Sequence, residues 1–372
     1  MSGKRAPVSG NDTKKTHGRA DRQGLRVVAI GGGTGLSTLL KGLKVYTVNP
    51  GFAYLAKKNT PVIHELSAIV TVSDDGGSSG RLRKELKMLP PGDIRNCIVA
   101  LSEDEALLSK LFQHRFTQGE GLEGHSFGNL FLAALTSITG DFAEAVRLSA
   151  EILFTRGHIF PATASHVELE AIMEDGTRVR GETKITASKG RIHELVMVPE
   201  DVEPLPQTLQ AIAQADMITI GPGSLFTSLI PNLLVRGISQ AIVQSPAIKV
   251  YVCNLMTQAN ESLGLTAADH IRALDRHAGA SIFDYALINR KPAPPSMKAK
   301  YALEGASQIV ADLDAIEAMG VIPVLGDYLE EGGVARHNNE RVAQDLMDLA
   351  MQAIADGGPT PRVPRAITHT HS

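Results

Sequence analysis

Short apolar runs rich in β-branched residues take turns with amphipathic helical segments along this chain, and few folds accommodate that order. "LRVVAI" (25–30) is followed by the helical spacing of "TGLSTLLKGLK"; "LSAIVTV" (66–72) precedes a helix expected over 93–116, with Asp93 as its N-cap behind Pro90-Pro91-Gly92. Helices are expected at 127–138 and 141–153. After an interruption come helix 206–215, strand "DMITI", helix 231–245, strand "IKVYVCNL", helix 266–277, strand "YALIN" and a last helix over 338–355. This alternation predicts an α/β protein, a Rossmann-like, doubly wound and mostly parallel sheet. The interruption, about 157–200, alternates with period two on both sides of Asp175-Gly176. It reads as a small antiparallel β insert.

Composition removes several function classes. Of 372 residues 43% are hydrophobic, none is tryptophan and the net charge is −3. No basic footprint or base-stacking surface for nucleic acid results. No run of 18 apolar residues exists to span a membrane. Cys97 and Cys253 stand among apolar neighbours and read as buried free thiols of a reducing cytoplasm. Residues 1–24 carry six Lys/Arg against two Asp without an apolar core, and 357–372 are polar and rich in Pro and Gly. Both read as disordered tails flanking one domain, 25–356.

In doubly wound sheets ligands bind at the carboxyl ends of the strands, and each unusual motif falls at such an end. Gly31, Gly32, Gly33, Thr34 and Gly35 join the first strand to its helix. Glycines there let a phosphate approach backbone amides at a helix N-terminus. The full G-x-G-x-x-G is broken by Leu36, and no Walker lysine follows. Gly221, Gly223 and Ser224 repeat the device, and two such loops in one sheet point to a diphosphate. His125 and Asn129 open an apolar helix that Ser126 is placed to cap; no metal-type spacing surrounds them. Asn254 and Thr257 follow another strand as candidate partners of a base or sugar. Asp74 and Asp75 end "AIVTVSDD", where the backbone then loosens into Gly-Gly-Ser-Ser-Gly. An acid there accepts from a ribose hydroxyl, or a pair holds Mg²⁺ against phosphates, or a turn is simply capped. Two adjacent carboxylates repel, which favours a ligand role over the turn.

Taken together, "VAIGGGTGLSTLLKGLK", "AIVTVSDDGGSSGRLR", "PPGDIRNCIVALSE", "GHSFGNLFLAALTSITGDF", "IGPGSLFTSLIPNLLVRGI" and "VCNLMTQANES" resemble the YvcK-type gluconeogenesis factors, within the wider CofD-like superfamily of 2-phospho-L-lactate transferases. The resemblance runs over about residues 26–350. It implies a cytoplasmic, Rossmann-like binder of UDP-sugars, notably UDP-N-acetylglucosamine, needed for cell shape and wall synthesis on gluconeogenic carbon sources. It carries Tyr301 and Arg336 over as binding positions, implies a protein partner in wall synthesis or metabolism, and leaves room for a homo-oligomer. No cofactor is required on this reading. The transferase branch implies Mg²⁺ held by an acid pair matching Asp74-Asp75, but the glycine-, serine- and arginine-rich stretch after Asp75 departs from its acceptor segment. A nicotinamide-dinucleotide binder is the weakest alternative. The segment 46–65 is longer than the resemblance leads one to expect and reads as a lid or an added loop.

Overall fold

The computed structural model describes residues 24–47, 62–103, 107–188, 190–330 and 332–356. Both tails and most of the 46–65 segment lie outside the described residues.

Seven strands form one parallel sheet. They are β1 (Leu25–Gly31), β2 (Ile63–Val70), β3 (His158–Pro161), β7 (Met217–Ile220), β8 (Ile248–Val252), β9 (Tyr285–Asn289) and β10 (Ile322–Gly326). Their spatial order is β10-β9-β8-β7-β1-β2-β3, and every neighbouring pair is parallel. The central strands are covered on both faces, which is why all four residues of β7, Thr219 included, are buried rather than alternately exposed. At the edge, β10 is largely exposed and tolerates Pro323, whose missing N–H costs an edge strand little. The order reverses between β1 and β7. Right-handed crossovers on either side of that reversal send helices to opposite faces and leave a crevice at the carboxyl ends of these two strands.

Helix α1 (Gly33–Lys44) follows β1, and α14 (Asn339–Ala355) crosses it so closely that a Cβ on Gly42 would stand 2.3 Å from the Asn339 carbonyl oxygen. Asn338 caps α14, its side chain accepting from the Arg341 amide. The antiparallel unit is the three-stranded sheet β5-β4-β6, from β4 (Glu168–Met173), β5 (Arg178–Arg180) and β6 (Ile192–Val198), with α7 (Glu182–Ala187) between the last two. The change of period at 157 does not begin this unit, because His158–Pro161 joins the main sheet beside β2. Four residues are too few for alternation to reveal which partner a strand takes.

Other differences are local. The helix expected over 93–116 is two, α3 (Gly92–Leu101) and α4 (Leu107–Gln113). Pro91, not Asp93, holds the N-cap position of α3, and Asp93 lies in its first turn. The loose stretch after Asp75 is a helix, α2 (Gly77–Leu86). The helix expected over 231–245 begins with a π-helical turn (Leu225–Leu229), continues as α9 (Ile230–Leu234) with a proline in its first turn, and restarts as α10 (Ile238–Gln244). Helices α5 (Phe127–Thr139), capped by Ser126, and α6 (Phe142–Ile152) stand where expected; α8 (Pro206–Gln214) and α11 (Ala267–Ala278) do too. Two short helices, α12 (Pro295–Ala302) and α13 (Leu313–Ala318), and β10 carry no period that the sequence displays. Cys97 and Cys253 are buried and free. Among the described residues no single helix is long and apolar enough to cross a membrane.

Candidate functional site

The two glycine loops meet at the reversal point. Gly31 ends β1, and its carbonyl accepts from the Thr71 amide at 3.0 Å and from Asn232 Nδ2 at 3.2 Å. Gly33 has φ +62, a left-handed conformation that glycine adopts without strain, and it starts α1 with no side-chain cap and no acid in the first turn. Opposite it, the Gly221 amide donates to the Ile30 carbonyl at 3.1 Å, stitching the end of β7 to β1. The loops touch: a Cβ on Gly35 would lie 2.3 Å from the Pro222 carbonyl oxygen and 3.0 Å from Gly223 Cα. Asn254 fixes the second loop from the end of β8, accepting from the Gly223 amide at 3.0 Å and donating to its carbonyl at 2.7 Å. Gln258 Nε2 donates to Ser224 Oγ at 2.8 Å. Beyond it Thr227 donates to Glu261, whose Oε2 is buried without a partner. Thr34 is exposed at the mouth, whereas Thr257 is buried and exchanges hydrogen bonds with the Ser307 backbone.

At the mouth of β2 the two adjacent acids part company. Asp74 Oδ1 accepts from the Gly76 amide at 2.8 Å, and its Oδ2 stands 3.1 Å from where a Gly92 Cβ would be. Asp75 instead accepts from the amide and hydroxyl of Thr183, at 2.9 and 2.5 Å, and so anchors α7 of the insert. That anchoring brings in Glu182, which lines an open cleft of about 330 Å³ together with Asp74, Thr183, Thr186 and Ala187. Its carboxyl is pushed up to about 9, first by burial and then by the charges of Asp74, Asp93, Asp75 and Glu261. Asp93 is pushed up to about 6 by burial, opposed by the Gly33 amide it accepts from. Across α2, His125 Nδ1 lies 2.9 Å from Ser78 Oγ, and Asn129 Nδ2 donates to the same hydroxyl at 3.1 Å.

Tyr301 and Arg336 come together farther along the rim. The Tyr301 hydroxyl accepts from the Ala335 amide at 3.2 Å. His337 donates from Nε2 to the Cys253 carbonyl at 3.0 Å, which seats this segment on the carboxyl end of β8 beside Asn254. Burial holds that imidazole down at about 4, so it is neutral. Arg336 is exposed, and its guanidinium has no hydrogen-bond or ion-pair partner among the described residues.

The chain as a whole is similar to known proteins. Residues 27–329 fit the model of the family described as 2-phospho-L-lactate transferase CofD. The chain belongs to the CofD family. Within it, the chain is 49% identical over 324 residues to the gluconeogenesis factor of Halalkalibacterium halodurans, covering 87% of this chain and 95% of that protein. It is 48% identical over 326 residues to the gluconeogenesis factor of Bacillus subtilis, covering 87% and 98%. A crystal structure of a Bacillus halodurans protein superposes with a TM-score of 0.81 at 48% identity, over 87% of this chain and all of that one. Within the CofD family the chain thus groups with proteins named gluconeogenesis factors.

For such a member the acid pair is the informative place. Mg²⁺ takes carboxylates together with phosphate oxygens and water, yet Asp75 is committed to Thr183 while Asp74 faces α3. Among the described residues no three His, Cys, Asp or Glu side chains form a metal-holding group. Each acid thus accepts its hydrogen bonds through Oδ1, Asp74 from the Gly76 amide and Asp75 from Thr183. Sequence reasoning missed Glu182, Ser78, Arg95 and Glu261 as members of the site. Glu182 carries no local signal, since only the fold of the insert delivers it. Ser78 was hidden in a stretch that reads as loop.

Proposed function

We propose that this CofD-family chain binds a nucleoside-diphosphate sugar, UDP-N-acetylglucosamine, without consuming it, and so regulates cell shape and wall synthesis through a protein partner in the cytoplasm. The observation that carries this reading is the packing of two glycine loops against each other at the β1/β7 reversal, with the Pro222 carbonyl oxygen 2.3 Å from where a Gly35 Cβ would stand. Two phosphates of one ligand find amides from both loops there. The Arg336 guanidinium, without a partner among the described residues, suits a pyrophosphate oxygen, and the Tyr301 ring, held by its hydroxyl, offers a face to uracil. Asp74 and the protonated Glu182 accept from and donate to sugar hydroxyls. Asp75 acts through α7, and the reading requires no cation.

Arg336→Ala is expected to weaken UDP-N-acetylglucosamine binding by about ten- to a hundredfold, the loss of a charge-assisted hydrogen bond, with unchanged thermal unfolding. Calorimetric titration checks this. An unaltered dissociation constant would remove Arg336 from the site. Incubation of the ligand with wild-type protein, followed by chromatography, is expected to return it intact. Stoichiometric conversion to UDP or UMP would favour the second reading, a phospholactate-type transferase, for which the proton-holding Glu182 in one cleft with the Asp74 carboxyl offers a general acid.

A further inference from the structure

The hydrogen bonds behind His125 run in one direction. Arg95 can only donate, and its Nη1 lies 3.2 Å from Asn129 Oδ1 and 2.5 Å from Ser126 Oγ. The Asn129 amide is therefore oriented with its oxygen toward Arg95 and its Nδ2 toward Ser78 Oγ, 3.1 Å away. Ser78 Oγ accepts there and keeps a single proton to give. Its one remaining partner among the described residues is His125 Nδ1 at 2.9 Å. Ser78 and His125 are each only 4% exposed, and a buried hydroxyl proton left unbonded is unfavourable. The proton therefore goes to Nδ1, which must be bare.

We propose that the relay Arg95–Asn129–Ser78 locks His125 as its Nε2–H tautomer and makes that N–H a fixed donor to a phosphate oxygen of the bound ligand. The inference rests on the ligand reading given above for its acceptor, not for its tautomer. Nε2 has no protein partner among the described residues and is not among the buried unpartnered atoms, so it is the one ring nitrogen that opens to the crevice while the rest of the residue is buried. The surroundings favour an anion as the missing partner. Arg81 and Arg115 hold the Glu123 and Gly124 carbonyls just before His125, and Arg95 lies beneath it. Helix α2 opens beside it with no side-chain cap and no acid in its first turn. Burial first, then the Arg81 charge, hold the imidazole below its usual range, with Glu85 opposing and Arg115 adding to the effect. The ring is thus neutral, and Ser78 and Asn129 are positioning residues that act through it.

The test is long-range proton–nitrogen correlation NMR on the full chain with nitrogen-labelled histidine, the His125 signals being identified by their loss in His125→Gln. At pH 7 the free protein is expected to show Nδ1 in the unprotonated range and Nε2 in the protonated range. Ser78→Ala is expected to replace this with a mixture of tautomers while the other histidines stay unchanged. Inorganic pyrophosphate and UDP-N-acetylglucosamine are each expected to shift the Nε2 proton and slow its exchange with water. An Nδ1–H tautomer or an imidazolium in the free protein would overturn the lock. A correct tautomer that neither probe shifts would overturn the donor role. A shift with pyrophosphate beside calorimetry showing no UDP-sugar binding would leave this proposal standing and remove the ligand reading instead.

Discussion

Gly35→Ala is expected to abolish ligand binding and to destabilise the protein by about 3 kcal/mol. The added Cβ would sit 2.3 Å from the Pro222 carbonyl oxygen and 2.7 Å from its carbon. Both are backbone atoms, so no rotamer change relieves the contact, and the two glycine loops must separate. The left-handed Gly33 next to them leaves the first loop no easy alternative path. Gly333→Ala, where a Cβ meets open space, is the matched control and is expected to change neither property. Thermal unfolding and calorimetry on the two variants measure the effect. A Gly35→Ala protein with wild-type melting and affinity would show that the loops do not meet.

The second large effect depends on pH. Glu182 holds its proton in the folded protein up to about 9, against an ordinary value of 4.5. Between these values the unfolded chain is ionised and the folded chain is not, so ionisation pulls the equilibrium toward unfolding as pH rises. Below 4.5 both states are protonated and the group contributes no difference. Glu182→Gln, which keeps the shape and neutrality of the protonated acid, is expected to match wild type near pH 4 and to become increasingly more stable above it. At pH 8 the gap is expected to be about 1–3 kcal/mol, after allowance for the partial exposure of the side chain. Comparing the two chains cancels the other shifted groups, Asp93 and Asp275 among them. Denaturant unfolding at several pH values checks it, and parallel profiles for the two chains would refute the assignment.

How far the sequence speaks follows from how local each requirement is. A strand covered on both faces is mostly apolar, with polar residues such as Arg26 and Lys249 near its entry, so β1, β7 and β8 announce themselves. A loop that packs backbone on backbone must be glycine, so both phosphate-type loops are legible before any coordinates. Edge strand β10 contains a proline and is mostly exposed, and helices of six to eight residues such as α12 and α13 show no measurable period. The ligand-side chemistry was only half legible. Asp74 and Asp75 stand at the right strand end, but their different duties depend on Thr183, 108 residues away from Asp75. The same distance hides Glu182. Likewise His125 could be named from its helix start, whereas the relay behind it needs α2, α3 and α5 assembled.

The central claim is that the crevice between β1 and β7 takes a UDP-sugar without help from a metal. Calorimetric titration of the full chain in EDTA, against UDP-N-acetylglucosamine, GDP and a nicotinamide dinucleotide in turn, tests it most directly. The account predicts saturable binding of the UDP-sugar at one site per chain, with affinity unchanged when Mg²⁺ replaces EDTA, and weaker or no binding of the other two. Binding that vanishes in EDTA and returns with Mg²⁺, or a preference for GDP, would contradict it.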